Sequence, residues 1–173
     1  MTFQKTVGSD LAWGIPGEHA LAGDVRAEPV QLKTKLDGTA GKRVPFGAVA
    51  LTQSAGDNGL VSIGGSGTYV GILSSPKEWA AYTALGGDAA GIEAGAQLEA
   101  TSQTPGMFME LTTAAGVGDA IAYKADGSLV AAPASAAPAS STLIPGSRVV
   151  RYNVTTGIAI VALQQLPTPA VAP

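Results

Sequence analysis

The sequence predicts an all-β fold, a meandering barrel or sandwich with one helix, and three observations support this prediction. Short segments alternate apolar and polar residues with the period of two that is typical of half-buried strands. Most of these segments are joined by short turns that are rich in glycine and aspartate. A helical start signal and a helical stripe of apolar residues occur together in one segment, between residues 75 and 87.

The first predicted strand begins at Val30. Val30 and Leu32 point to one side of it and Lys33 to the other, and Asp37-Gly38 then forms a turn. Three further strands are expected at VPFGAVALTQ (44–53), LVSI (60–63) and TYVGIL (68–73), with a turn at GDNG (56–59).

The helix is predicted over residues 76–85. Ser75 is a favourable N-cap, Pro76 suits the first helical position, Glu78 completes a capping box and Gly86-Gly87 marks the end. A stripe of apolar residues at a spacing of three is expected to pack on the sheet: Trp79, Tyr82 and Leu85.

Strands resume after the helix and a glycine-rich region. They are expected at AQLEAT (96–101), MFMELT (107–112), AIAYKA (120–125), SLVA (128–131), SRVVRYNV (147–154) and IAIVALQ (158–164). Asp126-Gly127 and residues 155–157 are predicted hairpin turns between consecutive strands of this group.

The stretch AAPASAAPASST, residues 131–142, reads as a flexible loop inside one domain. The preceding strand needs partners that follow residue 147, and the residues from 148 onward are too few for a core of their own. The predicted organisation is therefore an extended arm (1–29), a single β domain (30–166) and a proline-rich tail (167–173).

Composition and charge exclude several classes of function. The net charge is −3, and no basic run is longer than two residues, so a nucleic-acid surface is not expected. The absence of cysteine excludes disulfides and thiolate metal sites. Neither a secretory signal nor a membrane span is expected, since MTFQKTVGSD lacks an apolar core and IAIVAL is far too short to span a bilayer. Charged residues make up 13%, where a soluble domain has about 25%, which favours a surface covered by other subunits.

Catalytic chemistry is not indicated. The one histidine, His19, lies in the irregular arm without a nucleophile elbow, and the aspartates of the predicted turns are turn formers. The segment GTAGKR (38–43) departs from a phosphate loop in both its glycine spacing and its last residue. We therefore expect no enzyme activity, no cofactor and no transition-metal site, and the sequence leaves open a hard cation held by loop oxygens.

The order of motifs resembles a known family. The chain begins MTFQKTV…GIPGE, continues through YVGILSSPKEWAAY, and closes with GVGDAIAYKADGSLV…IPGSRVVRYNVTTGIAIVALQ. This series is similar to the head decoration proteins of tailed bacteriophages, called structural cement proteins, over about residues 1–165. The resemblance implies a small β-barrel or β-tulip-like domain that assembles as a homotrimer on the outer surface of the virion capsid. Its partner would be the major capsid protein, whose neighbouring subunits it bridges, with no nucleic acid or membrane partner.

The arm is the candidate contact segment. It carries apolar residues but no strand or helix pattern, so it is expected to lie extended, either on a neighbouring surface or on its own domain. The expected contacts with the capsid or a neighbouring subunit are Phe3, Trp13, Ile15, Pro16 and Leu21.

Two other functions stay open at the level of the sequence. The chain is also compatible with another virion component, such as a tail, fibre or baseplate module, which low copy number in the particle would reveal. A trimeric β-fold enzyme or ligand-binding protein is the third reading, and loss of activity on substituting a single acid would identify it.

Overall fold

Ten strands and one short helical turn make up the part of the chain that the structure describes. The structure is a computed structural model, and it describes residues 14–35, 48–75, 92 and 94–164. The strands are β1 (Arg26–Leu32), β2 (Ala50–Gln53), β3 (Leu60–Ile63), β4 (Thr68–Leu73), β5 (Gln97–Glu110), β6 (Ala120–Lys124), β7 (Leu129–Ala132), β8 (Ser141–Leu143), β9 (Ser147–Tyr152) and β10 (Ile158–Leu163). Nowhere in these ranges is there a helix with the length and hydropathy of a membrane span.

The first five strands close into a small barrel. Their order is β1-β3-β2-β4-β5, and β1 pairs antiparallel with β5 to complete the ring. All pairs are antiparallel except β1 with β3. The barrel interior is filled by buried apolar residues, all but Ile92 from the strands: Val30, Leu32, Leu51, Val61, Leu73, Ile92, Leu98 and Ala100. The predicted all-β barrel is confirmed.

Strand β5 connects the barrel to the rest of the molecule. Its first half pairs with β1 and β4, and its second half pairs with β10, which in turn pairs with β9. The sequence predicts two strands here, at 96–101 and 107–112, and that prediction is wrong because one strand runs through both and through Pro105 between them. Val161 pairs with Met107 and Leu163 with Thr104, so one residue of β10 faces two residues of β5. Proline is tolerated at such a bulge because no ladder hydrogen bond is required of its nitrogen.

A second layer covers one face of the β5–β10–β9 sheet. It is a three-stranded sheet of order β7-β6-β8. The apolar residues between the two layers form what we call the interlayer core, and its largest buried members are Met107, Met109, Ile121, Leu129, Ile144 and Ile72. The opposite side of the β5–β10–β9 sheet is called the outer face below.

The segment 131–142 is structured for most of its length, which corrects the predicted loop. Residues 131 and 132 end β7, Pro133–Ser135 form a 3-10 turn, and β8 begins at Ser141. The returning chain then pairs antiparallel with β6, Ser141 with Lys124 and Leu143 with Ala122. Strand β8, which sequence reasoning missed, therefore comes partly from a segment of linker-like composition.

The boundary of the predicted arm also changes. β1 begins at Arg26, so the last residues assigned to the arm belong to the barrel. The hairpin turns predicted at Asp126-Gly127 and at residues 155–157 join β6 to β7 and β9 to β10. The predicted helix (76–85), the turn at Asp37-Gly38 and the tail (167–173) lie outside the described residues.

Candidate functional site

The described part of the arm is held along one edge of β5. Main-chain hydrogen bonds run from Gly17 N to Phe108 O (2.7 Å), from Phe108 N to Glu18 O (2.9 Å) and from Ala20 N to Gly106 O (2.8 Å). Because β1 occupies the first half of the same edge, the arm continues the barrel strand along nearly the full length of β5. The arm was expected to lie either on a neighbouring surface or on its own domain, and the described part of it contacts its own domain.

The arm also packs on the outer face. The Cα of Gly14 lies so close to the Phe108 ring that no β-carbon would fit between them. The Leu21 side chain lies over Gly106, where an added β-carbon would be 2.8 Å from Leu21 Cδ1 and 2.9 Å from Ile160 Cγ2. The glycine at 106 thus leaves the space that Leu21 fills.

The predicted contact residues divide into two groups. Ile15 and Pro16 lie in a turn, closed by the bond from Glu18 N to Ile15 O (3.0 Å), and both are half-buried. Leu21 is 43% exposed. The remaining two, Phe3 and Trp13, lie outside the described residues. The structure brings Leu21 onto the outer face, beside strands β5 and β10.

Two arginines extend this surface on the far side of β10. Register pairs Ile160 with Phe108 on β5 and with Arg151 on β9, and it pairs Ala162 with Arg148. Directly opposed residues in antiparallel strands point to the same side of the sheet. Arg148 and Arg151 are therefore both on the outer face, and both are exposed.

Sequence reasoning missed this arginine pair for a physical reason. The two residues are three positions apart, which places side chains on opposite faces of a regular strand. The register of β9 shifts between Arg151 and Val149 relative to β10, so Val150 is an extra residue and both arginines share one face. Nothing in the local sequence SRVVRY marks that shift.

The remaining polar contacts have structural roles. Lys33 Nζ lies 2.6 Å from Asp57 Oδ1 at the rim of the barrel, and this hydrogen bond lowers the pKa of Asp57. His19 Nδ1 lies 3.3 Å from Thr104 Oγ1, so the histidine ties the arm to β5. Among the described residues, no three acidic or histidine side chains are grouped as a metal site would require.

Comparison with known proteins identifies the family. The sequence profile of the structural cement protein family (E217 gp24/Pam3 gp6) matches residues 3–164, nearly the whole chain. The chain belongs to this family. No curated protein matches the chain in sequence. The fold agrees with a chain of a solved structure described as the capsid of Myoviridae phage XM1, with a TM-score of 0.61 and 13% identity over 95% of this chain and 99% of that one.

Membership confirms the resemblance noted in the sequence. A cement protein is a structural component of the phage capsid, where it decorates the shell and associates with shell proteins. The family is defined by a structural role. The matched span includes the arm, β9 and both arginines, so the outer face of this cement protein lies wholly within the family region.

Proposed function

We propose that this cement protein binds the outside of the phage head as a homotrimer and bridges neighbouring major capsid protein subunits, with the arm as a contact segment. The family match over residues 3–164 is the observation that carries this proposal. The work is mechanical and not catalytic: packed DNA pushes the shell outward, and each bridging contact must break before the shell opens.

The described part of the arm suits this task because its backbone is already ordered against the domain. The bonds to β5, with the bond from Ser75 N to Gly17 O (2.9 Å), hold the backbone around Leu21 in place. A preorganised segment loses less conformational entropy when it binds. Leu21 still exposes 43% of its surface, so a partner that covers it gains further apolar burial.

The first test is copy number in purified particles. Near one copy of this chain per major capsid subunit supports a protein that covers the shell, whereas a few dozen copies or fewer contradict the proposal. Mass photometry tests whether the chain forms a trimer, both after purification and after release from disassembled heads. A monomer under both conditions and at every concentration contradicts the proposed homotrimer.

The second test measures binding of the purified chain to heads that lack it. Burying the exposed part of Leu21 is worth about 1 kcal/mol, so Leu21→Ser is expected to weaken binding about fivefold. Val25→Ser is the control, since Val25 is similarly exposed (37%), directly precedes β1 and is not one of the five predicted contact residues. Equal binding by Leu21→Ser and wild type would contradict the role of the arm.

A further inference from the structure

We propose that the β9 side of the outer face is a second docking surface, and that it binds a carboxylate-bearing loop or strand of the major capsid protein. We call this surface the β9 edge, and it consists of Arg148, Arg151, Val117 and Val154. The inference rests on the proposed function, since it names where and by which chemistry the shell is bound.

The arginines are placed for a partner outside the chain. Neither guanidinium has a hydrogen-bond or ion-pair partner among the described residues. The two residues are about 10 Å apart along β9, so one partner segment can reach both. Their opposed neighbours on β10 are apolar and almost buried, Ile160 at 8% and Ala162 at 6% exposed. Arginine commonly lays its alkyl stem on such a floor and keeps its charged end free to bind.

Two exposed valines lie on turns next to β9. Val154, at the tip of the β9–β10 hairpin, is 82% exposed, and Val117, in the loop before β6, is 76% exposed. That loop is fixed beside β9, because Gly118 N donates to Val149 O (2.9 Å) and Val149 N donates to Asp119 O (2.8 Å). Apolar groups on fixed turns next to free arginines match the composition of protein interfaces, in which arginine is enriched.

The chemistry of the partner follows from the guanidinium. Its planar fork of donors matches a carboxylate in bidentate geometry. A second copy of this chain offers fewer carboxylates, because four of the described acidic side chains already accept hydrogen bonds internally: Asp24 from Gln103, Asp57 from Lys33, Asp119 from Gly116 and Asp126 from Ser128. Glu28 and Glu99 are exposed, so the test below includes a second copy as an outcome. The favoured occupant is an acidic segment of the shell protein, because the chain belongs to the structural cement family.

Head binding of three variants tests the inference. Arg148→Ser/Arg151→Ser removes two positive charges from the β9 edge. Lys124→Ser is the control, because it removes an exposed positive charge from elsewhere on the surface without breaking an ion pair. Val154→Ser tests the apolar contribution to docking. Because Val154 is 82% exposed, this substitution should leave the fold unchanged. Affinity for heads that lack the protein is measured from low to high salt, with the oligomeric state of each variant measured in parallel.

The expected result is a loss of at least about tenfold for the arginine variant, with a flatter salt dependence than wild type. Val154→Ser should bind several-fold more weakly, and the lysine control should bind as wild type does. If wild type binds heads and the arginine variant binds equally well, the inference is overturned while the proposed function stands. A changed oligomeric state with unchanged head binding assigns the surface to a second copy, and this also overturns the inference. Failure of wild type itself to bind heads removes the proposed function and the inference together.

Discussion

Replacing Gly64 with alanine should destabilise the protein at the contact between the barrel and the second layer. Gly64 lies in the turn between β3 and β4, against the β6–β7 hairpin of the second layer. Two main-chain bonds join the barrel to this hairpin, Gly65 N to Ala125 O (2.9 Å) and Ala50 N to Gly127 O (3.0 Å), and a third, Gly64 N to Ala50 O (2.8 Å), holds the turn on β2. The barrel and the second layer thus meet backbone to backbone at this point.

The structure allows the cost of the substitution to be estimated. A β-carbon on Gly64 would lie 2.8 Å from the carbonyl carbon of Ala125 and closer still to Gly127 N, inside the 3.0 Å limit that real β-carbons keep. These are backbone atoms, so no side chain can rotate away, and overpacking of this kind costs about 1–3 kcal/mol. The left-handed φ of 59° adds about 1 kcal/mol for alanine. The expected loss of stability is about 3 kcal/mol, or roughly 6–12 °C in Tm for a chain of this size.

Gly59→Ala is the control that isolates the steric part. Gly59 also has a left-handed φ, of 90°, but an added β-carbon there meets nothing within 4 Å. It should lose only about 1–2 kcal/mol from backbone strain. Urea unfolding of both variants gives the two free energies, with unchanged m-values as the condition for comparing them. A Gly64→Ala variant no less stable than Gly59→Ala would refute the reasoning about the contact between the layers.

Two further predictions concern single polar groups. The Tyr69 hydroxyl is buried and has no hydrogen-bond partner among the described residues, and this burial raises its pKa. Because an unpaired buried hydroxyl is costly, Tyr69→Phe should increase the free energy of unfolding by about 1 kcal/mol. A lower Tm for the variant would contradict this prediction. The Ser128 hydroxyl and amide donate to Asp126 Oδ1 and hold the pKa of that carboxyl below its usual value. The ionised Asp126 carboxylate therefore stabilises the fold fully above about pH 4, and this contribution is lost as the pH falls through the lowered pKa. Asp126→Asn should flatten that part of the curve of stability against pH. An unchanged curve would contradict this prediction.

Local pattern was sufficient for most of the strands. The alternation of Val30 and Leu32 places both inside the barrel, and the turn residues Asp126-Gly127 form the hairpin that they predict. These features depend on the alternation of side chains and on turn conformation, which are properties of a few consecutive residues. The family resemblance came from the same source, namely an ordered series of short motifs.

Pairing between distant strands decided the rest. The closure of the barrel by β1 and β5 joins residues about 70 positions apart, and no local pattern encodes it. The sequence pattern predicts two strands, at 96–101 and 107–112, but a bulge against β10 carries a single strand through Pro105. The sequence by itself determined an all-β cement protein with an apolar arm. Only the tertiary structure placed the described part of that arm on β5 and turned Arg148 and Arg151 to one face. The reason is that register is set by non-local hydrogen bonds, and a shift of one residue changes the face of every side chain beyond it.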